Sequence, residues 1–143
     1  MFSWYMRLMH SDDATGMGKC FTCDQELHWT KLQNGHFISR ARMATRFRPD
    51  NCRPQCYACN IRRSGEQWLF GRKLDEHYGA GHAEKMYRLS LRTQQFTKEE
   101  YETYIDYYQA KVATILARRA KDNRGADRGV PKKLEGRIRM GGS

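Results

Sequence analysis

The chain has 143 residues and a mass of 16.9 kDa, room for one domain and a tail. A mean hydropathy of −0.89 and 39% hydrophobic residues leave a small core. No apolar run approaches the ~20 residues that cross a bilayer, which disfavours a membrane protein. With 26 Lys and Arg against 16 Asp and Glu, the net charge is +10 and the pI near 9.6, the electrostatic footprint of nucleic-acid binding.

Residues 1–10 read as a short amphipathic helix with Trp4, Leu8, Tyr5 and Met9 on one side. This apolar opening lacks the basic start and cleavage site of a signal peptide, which disfavours secretion. Between Glu26 and Ser39 the pattern predicts two short strands, Leu27–Leu32 and His36–Ile38, joined by a turn at Asn34-Gly35. Residues 40–55, with Pro49 and Pro54 and little periodicity, read as an irregular loop. A helix is predicted from Asn60 to Phe70 with Ile61, Trp68 and Leu69 inward. Further helices are expected around Leu74 to Tyr78, ending at Gly79, and from Ala83 to Leu91.

Thr97-Lys98-Glu99-Glu100 is a capping box, and Tyr101, Tyr104, Ile105, Tyr108, Val112, Ile115 and Leu116 then recur on one face as far as Lys121. This Tyr-rich stripe reads as core packing ahead of a nucleic-acid stacking surface.

The charge is segregated. Residues 1–28 carry two basic and four acidic groups, 29–63 eight and one, 64–117 seven and eight, and 118–143 nine and three. Seven of the eight cations in the second block are arginines, whose planar fork suits phosphate oxygens. The last block is Gly-rich and nearly devoid of large apolar residues, so it reads as a disordered basic tail that grips phosphates without sequence preference.

Of five cysteines, two pairs have two-residue spacing, Cys20/Cys23 and Cys56/Cys59. Two such knuckles suit a tetrahedral Zn²⁺, and four thiolates would close the site, making this zinc structural. An odd count argues against a disulfide framework. Cys52 is left as a free thiol. Chemistry, if present, then lies elsewhere: His36 stands between the knuckles at the start of an apolar strand, Asn60 directly follows Cys59, and Asn51 precedes it by nine residues.

Together Cys-x-x-Cys, Gly35-His36-Phe37-Ile38-Ser39-Arg40, Asn51, Gln55-Cys56-x-x-Cys59-Asn60 and Gly65 resemble the HNH (ββα-metal) endonucleases. More narrowly, they resemble the NinG/Rap recombination proteins of lambdoid phages, over residues 4–118. The resemblance implies a small α+β fold: a zinc-stapled ββα core, packed helices and the tail. It implies His36 as general base, Asn51 as the brace of the loop and Asn60 as a ligand of one catalytic Mg²⁺ or Mn²⁺. Arg40 is placed to neutralise the scissile phosphate, and Arg42, Arg46, Arg48, Arg62 and Arg63 join it as expected DNA contacts. Gly35 is a departure, because many HNH enzymes carry a metal-binding Asp there.

The expected organisation is a short N-terminal helix and turn over 1–18, the zinc-knuckle core over 19–70, a helical extension over 71–121 and the tail over 122–143. The resemblance further implies phage recombination in a bacterial cytoplasm, branched DNA such as Holliday junctions and displacement loops as substrate, and recombination proteins as partners. The two-fold symmetry of a four-way junction favours a homodimer. Two rivals stand beside this reading: a zinc-stapled DNA-binding protein without chemistry, and a less selective HNH nuclease.

Overall fold

The computed structural model describes residues 1–122 as a small α+β protein with two separate two-stranded antiparallel sheets. The expected tail lies, beyond Asp122, outside the described residues. Among them no helix is long and apolar enough to cross a membrane.

Helix α1 (Phe2–Met9) buries Phe2, Met6 and Leu8. Trp4 and Tyr5 are half-buried: Trp4 meets Trp29 edge-on at 5.0 Å, and Tyr5 lies 5.2 Å from Tyr108. Apolar residues on more than one side of α1 are covered, and Met9, expected inward, is exposed.

Strands β1 (Met17–Lys19) and β2 (Glu26–His28) pair in the register Met17–His28 and carry the first cysteine knuckle between them. After a 3₁₀ turn over Trp29–Lys31, β3 (Gln33–His36) pairs with β4 (Cys52–Gln55) in the register His36–Cys52. Asn34-Gly35 is therefore not a hairpin turn but the middle of β3. The true connection is the loop 37–51, which holds the short helix α2 (Met43–Arg46) and a 3₁₀ turn at Pro49–Asn51. Tertiary packing overrides the local turn signal, because Gly35 lies against the buried side chain of Gln55. The predicted loop 40–55 thus contains a strand, and Pro54 is tolerated because both strands of a two-stranded ribbon are edges.

The expected helix from Asn60 to Phe70 is two elements. A π-helical turn over Ala58–Arg62 follows the second knuckle, then Ser64, Gly65 and Glu66 take positive φ values of 50°, 83° and 50°. Helix α3 (Gln67–Tyr78) starts afresh and ends at Gly79, whose φ is 107°. The break resets the helical phase, so Ile61 and Trp68 are exposed while Phe70, Gly71 and Leu74 face inward. Helix α4 (His82–Ser90) packs on α3 and α2.

Helix α5 (Lys98–Lys121) is built as its capping box dictates: Glu100 N–H donates to Thr97 Oγ1 at 3.2 Å, and Thr97 N–H donates to Glu100 Oε2 at 2.8 Å. Val112 and Ile115 join Leu8 and Trp29 in one core cluster, and Tyr108 joins Phe2, Met6 and Cys52 in another. Tyr104 and Ile105, expected in the same stripe, are exposed. At its end Arg119 is buried, donating to Asp13 Oδ1 at 3.0 Å and to the Leu8 carbonyl at 3.1 Å. This clamps α5 onto the end of α1.

Candidate metal centre and phosphate-binding cleft

The two knuckles converge. The Sγ atoms of Cys20, Cys23, Cys56 and Cys59 all lie within 4.8 Å of one another, with Cys23 and Cys56 3.8 Å apart. A tetrahedral Zn²⁺ with Zn–S bonds of ~2.3 Å requires sulfur–sulfur edges of about 3.8 Å, so the four thiols could hold zinc with little adjustment. Burial opposes ionisation of Cys20, but the Thr22 hydroxyl and backbone N–H groups hold its thiol down at about 6. Arg63 Nη2 lies 2.8 Å from Cys59 Sγ, offsetting the charge that four thiolates leave around a dication. Cys52 is elsewhere, in the apolar cluster, where burial pushes its thiol up to about 12.

A second feature opens where β3, the loop 37–51 and the π turn meet. It is a cleft of about 840 Å³ onto which His36, Arg40, Arg46 and Asn60 all face. His36 ends β3, and its Nε2 donates to the Arg46 carbonyl at 3.0 Å, since a carbonyl can only accept. Burial is the largest influence on this imidazole and holds it below its usual 6.5. The positive charges of Arg40 and Arg46 act the same way, while the carbonyls of Arg46 and Asn34 partly oppose them. Asn60 is oriented by Gln33, whose Oε1 accepts from Asn60 Nδ2 at 2.7 Å.

Asn51 does not reach the cleft. It is fully buried, with Nδ2 donating to the carbonyls of Ile38 (3.0 Å) and Thr45 (3.1 Å) and Oδ1 accepting from Ile38 N–H at 2.8 Å. One side chain thereby holds the loop's start against its middle, beside His36.

The arginines divide. Arg40 and Arg46 face the cleft. Arg48 is engaged by Asp50 through two hydrogen bonds of 3.0 and 2.9 Å, Arg63 by Cys59 and Glu66, and Arg62 lies over the Tyr57 ring. Arg42, exposed at the start of α2, does not line the cleft. Sequence reasoning missed Arg7, which lines the cleft from α1 with its guanidinium donating to the Leu32 carbonyl at 3.0 Å. It also missed Gln33, for which no local signal exists.

Among the described residues no carboxylate lines this cleft. Gly35 leaves no room for a side chain here, a carboxylate included. A Cβ at this position would overlap Gln55 Oε1 and come within 2.8 Å of its Cδ and 2.9 Å of its Cγ, and Gln55 is held by bonds to Thr22 and the Gly65 carbonyl. Gly35→Asp is expected to destabilise the chain by about 2–4 kcal/mol without installing a metal ligand. Gly35→Ala should share most of that loss. Thermal melts of both variants check this; an unchanged Gly35→Ala melt would mean that Gln55 yields freely.

The family model described as Bacteriophage Lambda NinG protein matches residues 1–118, which includes all four clustered cysteines and every residue of the cleft. No curated protein and no solved structure matches the chain. With its knuckles, its cleft and most of helix α5 inside the matched span, the chain belongs to the bacteriophage lambda NinG protein family.

Proposed function

We propose that this chain is a phage recombination endonuclease of the HNH type that hydrolyses DNA phosphodiesters, with a preference for branched DNA. The observation that carries the reading is the convergence of His36, Arg40 and Asn60 on one arginine-lined cleft beside the cysteine cluster. The order of elements supports it: strand, long loop, strand and helical turn deliver His36, Asn51 and Asn60 in sequence, as a ββα-metal core would.

In this reading neutral His36, whose Nε2–H donates to the Arg46 carbonyl, takes a proton from the attacking water on Nδ1. The water oxygen bonds to phosphorus, the P–O3′ bond breaks, and the departing 3′ oxygen takes a proton from solvent. Arg40 and Arg46 hold the non-bridging oxygens as negative charge accumulates on them. The carbonyls of Arg46 and Asn34 favour the imidazolium once it forms.

The resemblance also implies a catalytic Mg²⁺ or Mn²⁺. The cleft does not fit a free-standing one, because its donors are neutral and a hard dication prefers carboxylate oxygen. That same absence favours the second reading, a zinc-stapled DNA-binding protein without chemistry. Cleavage of a labelled four-way junction and of the matching linear duplex, with and without Mg²⁺ or Mn²⁺, tests the proposal. Cutting of the junction with the duplex spared supports it. Equal cutting of both assigns a less selective nuclease, and tight binding with no cutting assigns the binding module.

A two-fold junction is cut symmetrically by two copies, so a homodimer on DNA belongs to the proposal, as do the bacterial cytoplasm and other recombination proteins as its setting. Zinc is the structural metal.

A further inference from the structure

The face beside the cleft carries apolar and aromatic side chains that the fold does not use. Trp68 is 74% exposed on α3, whose inward face is made by Phe70, Gly71 and Leu74. Its neighbour Gln67 lines the cleft, and so does Ile61, itself 52% exposed. The Arg72 guanidinium lies 4.9 Å from the centre of the Trp68 ring, and Arg62 stands 5.7 Å from that of Tyr57.

We propose that Trp68, next in the chain to the cleft residue Gln67 and backed by Arg72, is a stacking site for a base whose face a branch point leaves uncovered. The inference rests on the DNA reading above and names the feature that would distinguish a branch from a duplex. An indole held on one side by a guanidinium offers its other face to a base, and such stacking tolerates any sequence. Bases inside a duplex already stack on their neighbours, whereas a branch point exposes bases that do not. The charge that suits a DNA occupant comes from the cleft that Gln67 and Ile61 line, through Arg7, Arg40 and Arg46, whereas beside Trp68 itself Arg72 is shared with Glu76 at 3.5 Å and Lys73 with Asp24 at 3.2 Å. Ile61, next to Asn60 on the cleft and exposed, adds an apolar edge against which an unstacked base can rest.

The test uses the full zinc-loaded chain and Trp68→Ala, with Trp68→Phe as the conservative variant. Because Trp68 is so exposed, its removal opens no core, and zinc content and melting temperature check that the variants fold. Affinity is measured by anisotropy for a four-way junction with 2-aminopurine at the branch, and for a linear duplex. Trp68→Ala is expected to lose about tenfold or more in junction affinity while duplex affinity stays within about twofold. The change in 2-aminopurine emission seen on binding should vanish with it, and Trp68→Phe should keep most of both.

Equal affinities for wild type and Trp68→Ala, with DNA binding intact, would overturn the stacking site alone. A uniform loss on both DNAs would make Trp68 a general contact and overturn it too. Self-association lost in Trp68→Ala with unaltered DNA binding would assign the face to a second copy. A wild-type chain that binds neither DNA removes the DNA reading and this inference together.

Discussion

Stripping zinc from the folded chain with a strong chelator is expected to release one ion per chain and abolish the cooperative thermal transition. The two sheets are separate ribbons of three- and four-residue strands, too small to stand alone in water. The cysteine cluster joins them, because Cys20 and Cys23 leave the first sheet and Cys56 and Cys59 follow the second. Structural zinc contributes about 10–16 kcal/mol in small domains, and a domain's entire net stability is about 5–15 kcal/mol. Losing the ion therefore exceeds what α1, α5 and their shared core can offset. Cys56→Ser should reproduce the effect, whereas Cys52→Ala should leave zinc stoichiometry at one and cost only the packing of a small buried side chain. Zinc release by a colorimetric chelator, followed with circular dichroism, reads both. A chain that melts identically with and without chelator would remove zinc from the account of this fold.

What was legible in the sequence was local. The capping box and the long helix behind it involve residues three and four apart, and α5 begins and ends where they indicate. The knuckles are local too, and the fold brings the two pairs together across 32 intervening residues, as four ligands of one metal ion would require. Strand β4 was not legible. Cys52-Arg53-Pro54-Gln55 is buried at every position, so it shows no alternation, and its partner lies across a loop of 15 residues. Asn34-Gly35 gives a strong turn signal, yet the contact that needs a glycine there is with Gln55, far along the chain.

Charge was legible as a sum but not as a disposition. The arginines of the second block look alike in sequence, but only folding separates Arg40 and Arg46 in the cleft from Arg48 and Arg63, which are held by Asp50 and by Cys59 with Glu66. Arg118 and Arg119 counted with the basic tail, and both in fact pair with Asp13. Of the residues singled out for chemistry, His36, Arg40 and Asn60 come together on the cleft, while Asn51, read as part of an irregular loop, is buried just before β4.

His36→Ala is expected to lower DNA cleavage by about 10²- to 10⁴-fold while leaving junction affinity within a few-fold, since a general base contributes to the chemical step and little to binding. The pH profile carries the more specific signature. A base must be unprotonated, and burial with Arg40 and Arg46 holds His36 below 6.5 in the free protein. The rising limb of kcat/KM, which reports the free protein, should therefore lie below pH ~6.5. Bound phosphate neutralises the two arginines and places an anion near the ring, so the limb of kcat, which reports the complex, should move to higher pH. Folding stability changes in the same direction. A histidine lowered in the folded state binds fewer protons than in the unfolded one, so its contribution to stability is lost as pH falls below about 6.5 towards the folded value. His36→Ala should flatten both the acid limb of the rate and part of this acid sensitivity. A variant that still cuts within about tenfold of wild type, with the same limb, would take the base assignment away from His36 and leave the cleft as a phosphate-binding site.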